Sequence, residues 1–131
     1  MADALILIVE DNDNNKKLLR DVLRHRGYRT AEAESAELGN ALACELLPAL
    51  ILMDIQLPGM SGIEALARLR ADTRTQHIPV VAVTASAMDQ DRARIMAAGF
   101  NGYQRKPISI KELVRTVDAL LAARGNGGAA A

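Results

Sequence analysis

The chain has no tryptophan, one phenylalanine, two tyrosines and a single cysteine in 131 residues, so neither aromatic clusters nor a disulfide framework can hold it together. It also lacks net charge. Sixteen Lys plus Arg balance sixteen Asp plus Glu, which leaves no basic field for nucleic acid or an anionic membrane. No stretch approaches the ~20 apolar residues of a membrane span, and no charged start leads into an apolar run with a small-residue cleavage site. A cytoplasmic protein is therefore expected. Half of the residues are hydrophobic, enough to give one domain a core of Leu, Ile, Val, Ala and Met. Cys44 lies in the apolar stretch 41–47 and reads as a small buried thiol rather than a nucleophile or ligand.

Five apolar or mixed runs alternate with five helical patterns. Residues 5–9 form an unbroken apolar run, too short for a helix and β-branched, which predicts a strand buried on both faces; 50–53 and 78–83 repeat it. Residues 28–33 and 102–105 are more polar and predict strands with one wetter side. Leu18, Leu19, Val22 and Leu23 mark the first helix, with Gly27 as its C-terminal stop. Leu38, Leu42 and Leu46 recur every four residues in the second, with Pro48 beyond its end. Ser61 and Glu64 have capping-box spacing at the start of the third, whose Ile63, Leu66 and Ala67 are expected to face inward. The fourth carries Met88, Ile95 and Met96 before Gly99. Ser109 and Glu112 make a second capping box, Ile108 and Leu113 a hydrophobic staple, and Leu113, Val117, Leu120 and Leu121 a buried stripe. The small residues after Arg124 predict a flexible tail over 125–131, outside a domain of 1–124.

Alternating βα units imply a parallel sheet with helices on both faces, because crossovers are right-handed. If the polar second and fifth strands are edges, the order is 2-1-3-4-5, the doubly wound flavodoxin-like arrangement, and ligands bind where the first and third strands part. Glu10, Asp11, Asp54, Thr84 and Lys106 all fall at strand ends on that rim. Strands ~4.8 Å apart bring the acids within reach of one ion. Without one, carboxylates ~4 Å apart repel by about 4 kcal/mol at an effective dielectric near 20. Few carboxylates and no nearby His or Cys favour Mg²⁺ over calcium or zinc. A carboxylate can also attack phosphorus, and Asp54, ending the most apolar central strand, is the best candidate. Thr84 and Lys106 then supply a hydroxyl and an ammonium for a phosphoryl group. Singly, each residue has a structural reading as a helix-dipole acid, cap, turn or solvated lysine; jointly, at four strand ends, they point to a site.

The strings Val9-Glu10-Asp11-Asn12, Leu52-Met53-Asp54-Ile55-Gln56-Leu57-Pro58-Gly59-Met60-Ser61-Gly62, Pro79-Val80-Val81-Ala82-Val83-Thr84-Ala85 and Lys106-Pro107 resemble the motifs of response-regulator receiver domains. The resemblance spans residues 4–123, and the intervals from Asp54 to Thr84 and to Lys106 are the family's usual ones. It implies that Asp54 accepts phosphate from a histidine kinase or histidine phosphotransfer protein. It further implies that Glu10, Asp11, Asp54 and the Gln56 backbone carbonyl hold Mg²⁺, and that Thr84 and Ala85 bind the phosphoryl group. Tyr103 would turn inward behind Thr84, Lys106 would pair with the phosphate, and the bond before Pro107 would be cis. Leu57 and Ser61 replace the commoner Met and Asp, which leaves the chemistry intact. His25 and His77 read as surface residues.

The same resemblance implies a regulator rather than an enzyme, one that assists its own phosphorylation and dephosphorylation. Nothing follows the fifth helix, so output is expected through the surface of helix four, strand five and helix five, by a monomer contacting a separate protein. Within the family the motif strings most resemble a single-domain regulator of cell division, which implies kinases of a cell-cycle or developmental relay; receiver modules of hybrid kinases share much of the wording. Asp11 and Asp13 also have the Asp-x-Asp spacing of haloacid-dehalogenase-type phosphatases, but Asn15 stands where that motif wants Thr or Val. A flavodoxin is excluded by the acidic loop after strand one. A binding module indifferent to phosphate would have no use for the full set of acid, hydroxyl and lysine.

Overall fold

The computed structural model describes residues 4–85 and 89–130. Five strands, β1 (Leu5–Val9), β2 (Arg29–Ala33), β3 (Leu50–Asp54), β4 (Val80–Thr84) and β5 (Gly102–Arg105), form one parallel sheet in the order β2-β1-β3-β4-β5. Helices α1 (Asp13–His25), α2 (Ala36–Leu46), α3 (Gly62–Ala71), α4 (Asp89–Ala97) and α5 (Ile110–Ala130) alternate with them. This is the doubly wound flavodoxin-like fold expected. Because strand side chains alternate, the three central strands feed two cores. Ile6, Ile8, Leu50, Leu52, Val81 and Val83 pack with Leu19, Leu23, Leu113, Val117 and Leu121 of α1 and α5. Leu7, Val9, Ile51, Met53, Val80 and Ala82 pack with residues of α2, α3 and α4, including Ala36, Leu66 and Ile95. Each large aliphatic side chain so buried contributes ~1.5–3 kcal/mol before entropy is counted.

The helix ends follow from local chemistry. Gly27 takes φ 92° after the Arg26 cap, and Tyr28 N–H and Gly27 N–H donate to the Leu23 and Arg24 carbonyls, a Schellman closure. Ser61 Oγ accepts from Glu64 N–H at 3.2 Å, as Ser109 Oγ does from Glu112 N–H at 3.4 Å. Tyr28 and Arg26 both bond Asp118, tying the start of β2 to α5. The phenol is thereby pushed up to about 12, first by burial and then by the carboxylate it donates to.

Several expectations need correction. Helix α2 forms, yet Leu38 and Leu46 stand 47% and 40% exposed while Ala36, Gly39 and Ala43 are buried. The cause is close approach: a Cβ on Gly39 would lie 2.7 Å from Val9 Cγ2, so only small residues fit against the sheet and the leucines move to the flanks. Ala67 points outward, because Gly62, Ala65, Leu66 and Leu69 already fill the inner face of α3. Met96 is likewise exposed beside buried Ile95, and Met88 lies outside the described residues. Cys44 is only half-buried; its thiol donates to Asp72 Oδ2 at 3.6 Å across a cleft of about 280 Å³ between α2 and α3. Burial and the Asp72 carboxylate hold that thiol above its usual range, which opposes reactivity. Helix α5 runs on through residues 125–130, the stretch expected as a tail; its helical backbone is a separate matter from docking against the domain. Extending a formed helix needs no new nucleus, and no proline interrupts it.

Candidate functional site

The sheet order delivers the site. Val9 pairs with Met53 and Asp54 with Val83, so the residues that leave β1 and end β3 stand side by side, with the end of β4 next to them. Glu10 is 1% and Asp54 3% exposed, whereas Asp11 faces solvent. One oxygen from each of these three carboxylates lies within 4.8 Å of the others. Asp13 is not in that cluster: it opens α1, exposed, and pairs with Lys16 at 3.3 Å, so the Asp11-x-Asp13 spacing does not build a single centre.

The Asp54 and Glu10 oxygens have defined neighbours. Asp54 Oδ1 accepts from Gln56 N–H at 2.8 Å, and Oδ2 accepts from Lys106 Nζ at 2.9 Å. Glu10 Oε2 accepts from Asn12 N–H at 3.1 Å, while Asn12 itself caps α1 by accepting from Asn15 N–H. Lys106 Nζ also stands 2.9 Å from Glu10 Oε1, but off the direction of a hydrogen bond, so this buried oxygen keeps an acceptor lone pair unmatched. A buried carboxylate oxygen held by an ion pair alone, beside two more carboxylates, is the donor set a hard cation takes, and magnesium suits so few protein ligands. Burial holds the Glu10 carboxyl above its ordinary range; Lys106 and the Asn12 amide pull it down, and the Asp54 charge adds to the rise. For Lys106, burial works downward, but the hydrogen bond to Asp54 and the attraction of Asp54 and Glu10 prevail and raise it, so the ammonium stays charged.

The remaining residues are set by strand ends and by one tight loop. Thr84 closes β4 fully buried, and its carbonyl accepts from Lys106 N–H at 2.7 Å, which fixes the lysine at the rim. The Lys106-Pro107 bond is cis, as expected. After Asp54 the loop folds back on α3 so closely that a Cβ on Gly62 would lie 2.6 Å from Ile55 Cα. That contact leaves Gln56 beside Ala85, whose N–H donates to Gln56 Oε1 at 3.0 Å. Only the Gln56 backbone carbonyl was expected at the site; its polar side chain two residues beyond a central acid was the available signal. Tyr103 is half-buried against the α4-side core, with the Arg92 guanidinium 5.8 Å from its ring centroid. His25 and His77 are exposed, as expected.

The response regulator receiver domain, as a family, matches residues 6–118. The chain belongs to this family. Receiver domains are regulatory modules rather than enzymes in the ordinary sense, and they serve two-component signalling. The chain is 46% identical over 116 residues to the polar-differentiation response regulator DivK of Brucella ovis, covering 88% of this chain and 94% of that protein. Among solved structures, it superposes on a response regulator from Chloroflexus aurantiacus with a TM-score of 0.87 at 32% identity, covering 92% of this chain and 98% of the other. It superposes equally broadly, 92% and 98%, on the receiver domain of a Pseudomonas aeruginosa sensor histidine kinase, with a TM-score of 0.85 at 32% identity; that structure has magnesium coordinated in its active-site cleft. Among the described residues, no helix is long and apolar enough to cross a membrane.

Proposed function

We propose that this receiver domain is the phosphoacceptor of a relay, with Asp54 as the residue modified. The observation that carries the reading is the placement of Asp54: a nearly buried carboxylate with one oxygen on a backbone N–H, the other on Lys106, and Glu10 and Asp11 at its side. A histidine kinase or phosphotransfer protein is the donor. An Asp54 oxygen forms the new O–P bond as the P–N bond to the donor imidazole breaks, and the imidazole nitrogen keeps that electron pair and takes up a proton. Lys106 neutralises charge on the acceptor and then pairs with the phosphoryl oxygens, while the Thr84 hydroxyl and Ala85 N–H receive the others. Glu10, Asp11, Asp54 and the Gln56 carbonyl would hold Mg²⁺, which, when bound, neutralises the crowded carboxylates and the transferring group. The same groups assist the hydrolysis that ends the signal.

The modification adds up to about two negative charges at the rim. Thr84 moves toward them, Tyr103 follows inward, and the surface of α4, β5 and α5 changes to bind a partner protein. A shift from 1:99 to 99:1 requires ~5.5 kcal/mol of preference for the active form. The 46% identity to the polar-differentiation regulator DivK over most of both chains supports a place in a cell-cycle or developmental relay, and we read the protein as a monomer acting in the cytoplasm. The likeness to a receiver domain of a sensor histidine kinase keeps a second context, a module serving a hybrid kinase, as the alternative. Intact mass after incubation with Mg²⁺ and acetyl phosphate tests the reading. One labile phosphoryl per chain is expected for wild type and none for Asp54→Asn; equal labelling of both would overturn it.

A further inference from the structure

Gln56 carries a side chain that the proposed chemistry does not use, yet it reaches across the rim from the loop after β3 to the end of β4. Its Oε1 accepts from Ala85 N–H at 3.0 Å, while its own N–H donates to Asp54 Oδ1 at 2.8 Å. Ala85 is the first residue beyond β4 and is exposed; among the described residues its amide has no strand acceptor and donates to the Gln56 carboxamide instead. An N–H makes one good hydrogen bond at a time. If a phosphoryl oxygen is to take this donor, the carboxamide must leave it.

We propose that the Gln56 side chain is a removable cap on the Ala85 N–H, competing with the phosphoryl group for the same donor. The proposal rests on Asp54 being the phosphoacceptor. Before phosphorylation the cap ties the β3 loop to the end of β4 through a neutral hydrogen bond. A phosphoryl oxygen outcompetes it, since hydrogen bonds to charged acceptors are roughly twice as strong as neutral ones. The binding of the phosphoryl group is nevertheless weakened by the net value of the bond that must break. Gln56 is thus a positioning residue: it touches the group that binds phosphate, and it links the release of the end of β4 to modification of Asp54.

The test uses ¹⁵N-labelled wild type, Gln56→Met, which keeps the length of the side chain but has no oxygen acceptor, and Gln56→Glu, which keeps one. Amide-proton exchange with water is read at Ala85, and beryllofluoride, a phosphoryl mimic, is titrated in the presence of Mg²⁺. Ala85 exchange is expected to be slow in wild type and Gln56→Glu and several-fold faster in Gln56→Met, with β3 and β4 amides equally protected in all three as a check on folding. Gln56→Met is expected to bind beryllofluoride about two- to tenfold more tightly than wild type, the range set by one net hydrogen bond. Equal Ala85 exchange in wild type and Gln56→Met overturns the cap. Faster exchange without tighter binding overturns the competition. Failure of all three proteins to bind beryllofluoride refutes the phosphoacceptor reading and the competition with it, and the exchange rates then show separately whether the cap exists.

Discussion

Replacing Lys106 by Met deletes the cation that stands 2.9 Å from both Asp54 Oδ2 and Glu10 Oε1 while keeping the aliphatic stem. The backbone bond from Lys106 N–H to Thr84 is unaffected. What remains is a set of carboxylates whose oxygens lie within 4.8 Å of each other, which at an effective dielectric near 20 repel by about 3.5 kcal/mol per pair. Screening at exposed Asp11 is strong, so the main penalty falls on Glu10 and Asp54. A loss of about 2–3 kcal/mol at pH 7 in the presence of a chelator is expected, a shift of roughly 1–2 M in urea midpoint. The sign with pH follows from Glu10. Its carboxyl is already raised in the folded protein by burial and rises further without the ammonium, so the folded state binds the extra proton. The penalty is then complete above the folded value and fades as pH falls toward the unfolded value of about 4.3. Mg²⁺ at pH 7 should restore most of the loss as well. Circular dichroism through urea titrations at pH 7 and pH 5, with and without Mg²⁺, reads all of this. A loss that ignores both pH and Mg²⁺ would mean that Lys106 matters through packing and that the electrostatic reasoning is wrong.

Gly62→Ala should destabilise by about 1–3 kcal/mol despite its better helix propensity, because the added methyl meets Ile55 backbone at 2.6 Å, and urea midpoints will register it. Leu47 caps α2 at φ 48°, exposed and left-handed, so Leu47→Gly should raise stability by a few tenths to about 1 kcal/mol in the same assay; a loss would refute strain at that position. Tyr28, pushed to about 12 by burial and by Asp118, should ionise near that value in the folded protein, read as phenolate absorbance in a Tyr103→Phe background. Because its folded value exceeds the unfolded value of about 10, its contribution is complete below pH 10 and is lost as pH climbs toward 12, a slope that Tyr28→Phe removes.

The fold was legible because three apolar runs too short for helices can only be buried strands, and the two polar ones can only be edges. The rim residues were legible because apolar runs stop at Glu10, Asp54 and Thr84, and Lys106 follows the short polar run 102–105. Contacts that depend on how close two elements approach were not. Leu38 and Leu46 carry a helical spacing that says nothing about Gly39 lying against Val9, yet that contact decides which face of α2 is buried. The Gln56 carboxamide on Ala85 joins residues far apart in sequence through a loop whose path is set by Gly62 on Ile55. Cys44 looked buried from its apolar neighbours, but its helix face opens on Asp72 of the adjoining α3 end. Local pattern dictates the elements and their order; distances between packed elements are a property of the assembled molecule.

The most direct measurement on the phosphoacceptor itself is chemical trapping. Wild-type protein incubated with Mg²⁺ and acetyl phosphate, then reduced with borohydride, would convert an aspartyl phosphate to homoserine, which peptide mass spectrometry places in the sequence. Homoserine at position 54 alone is the result expected from a carboxylate held between Lys106 and the Gln56 amide. Homoserine at Asp11 or Asp13, or none anywhere with acetyl phosphate consumed, would contradict it.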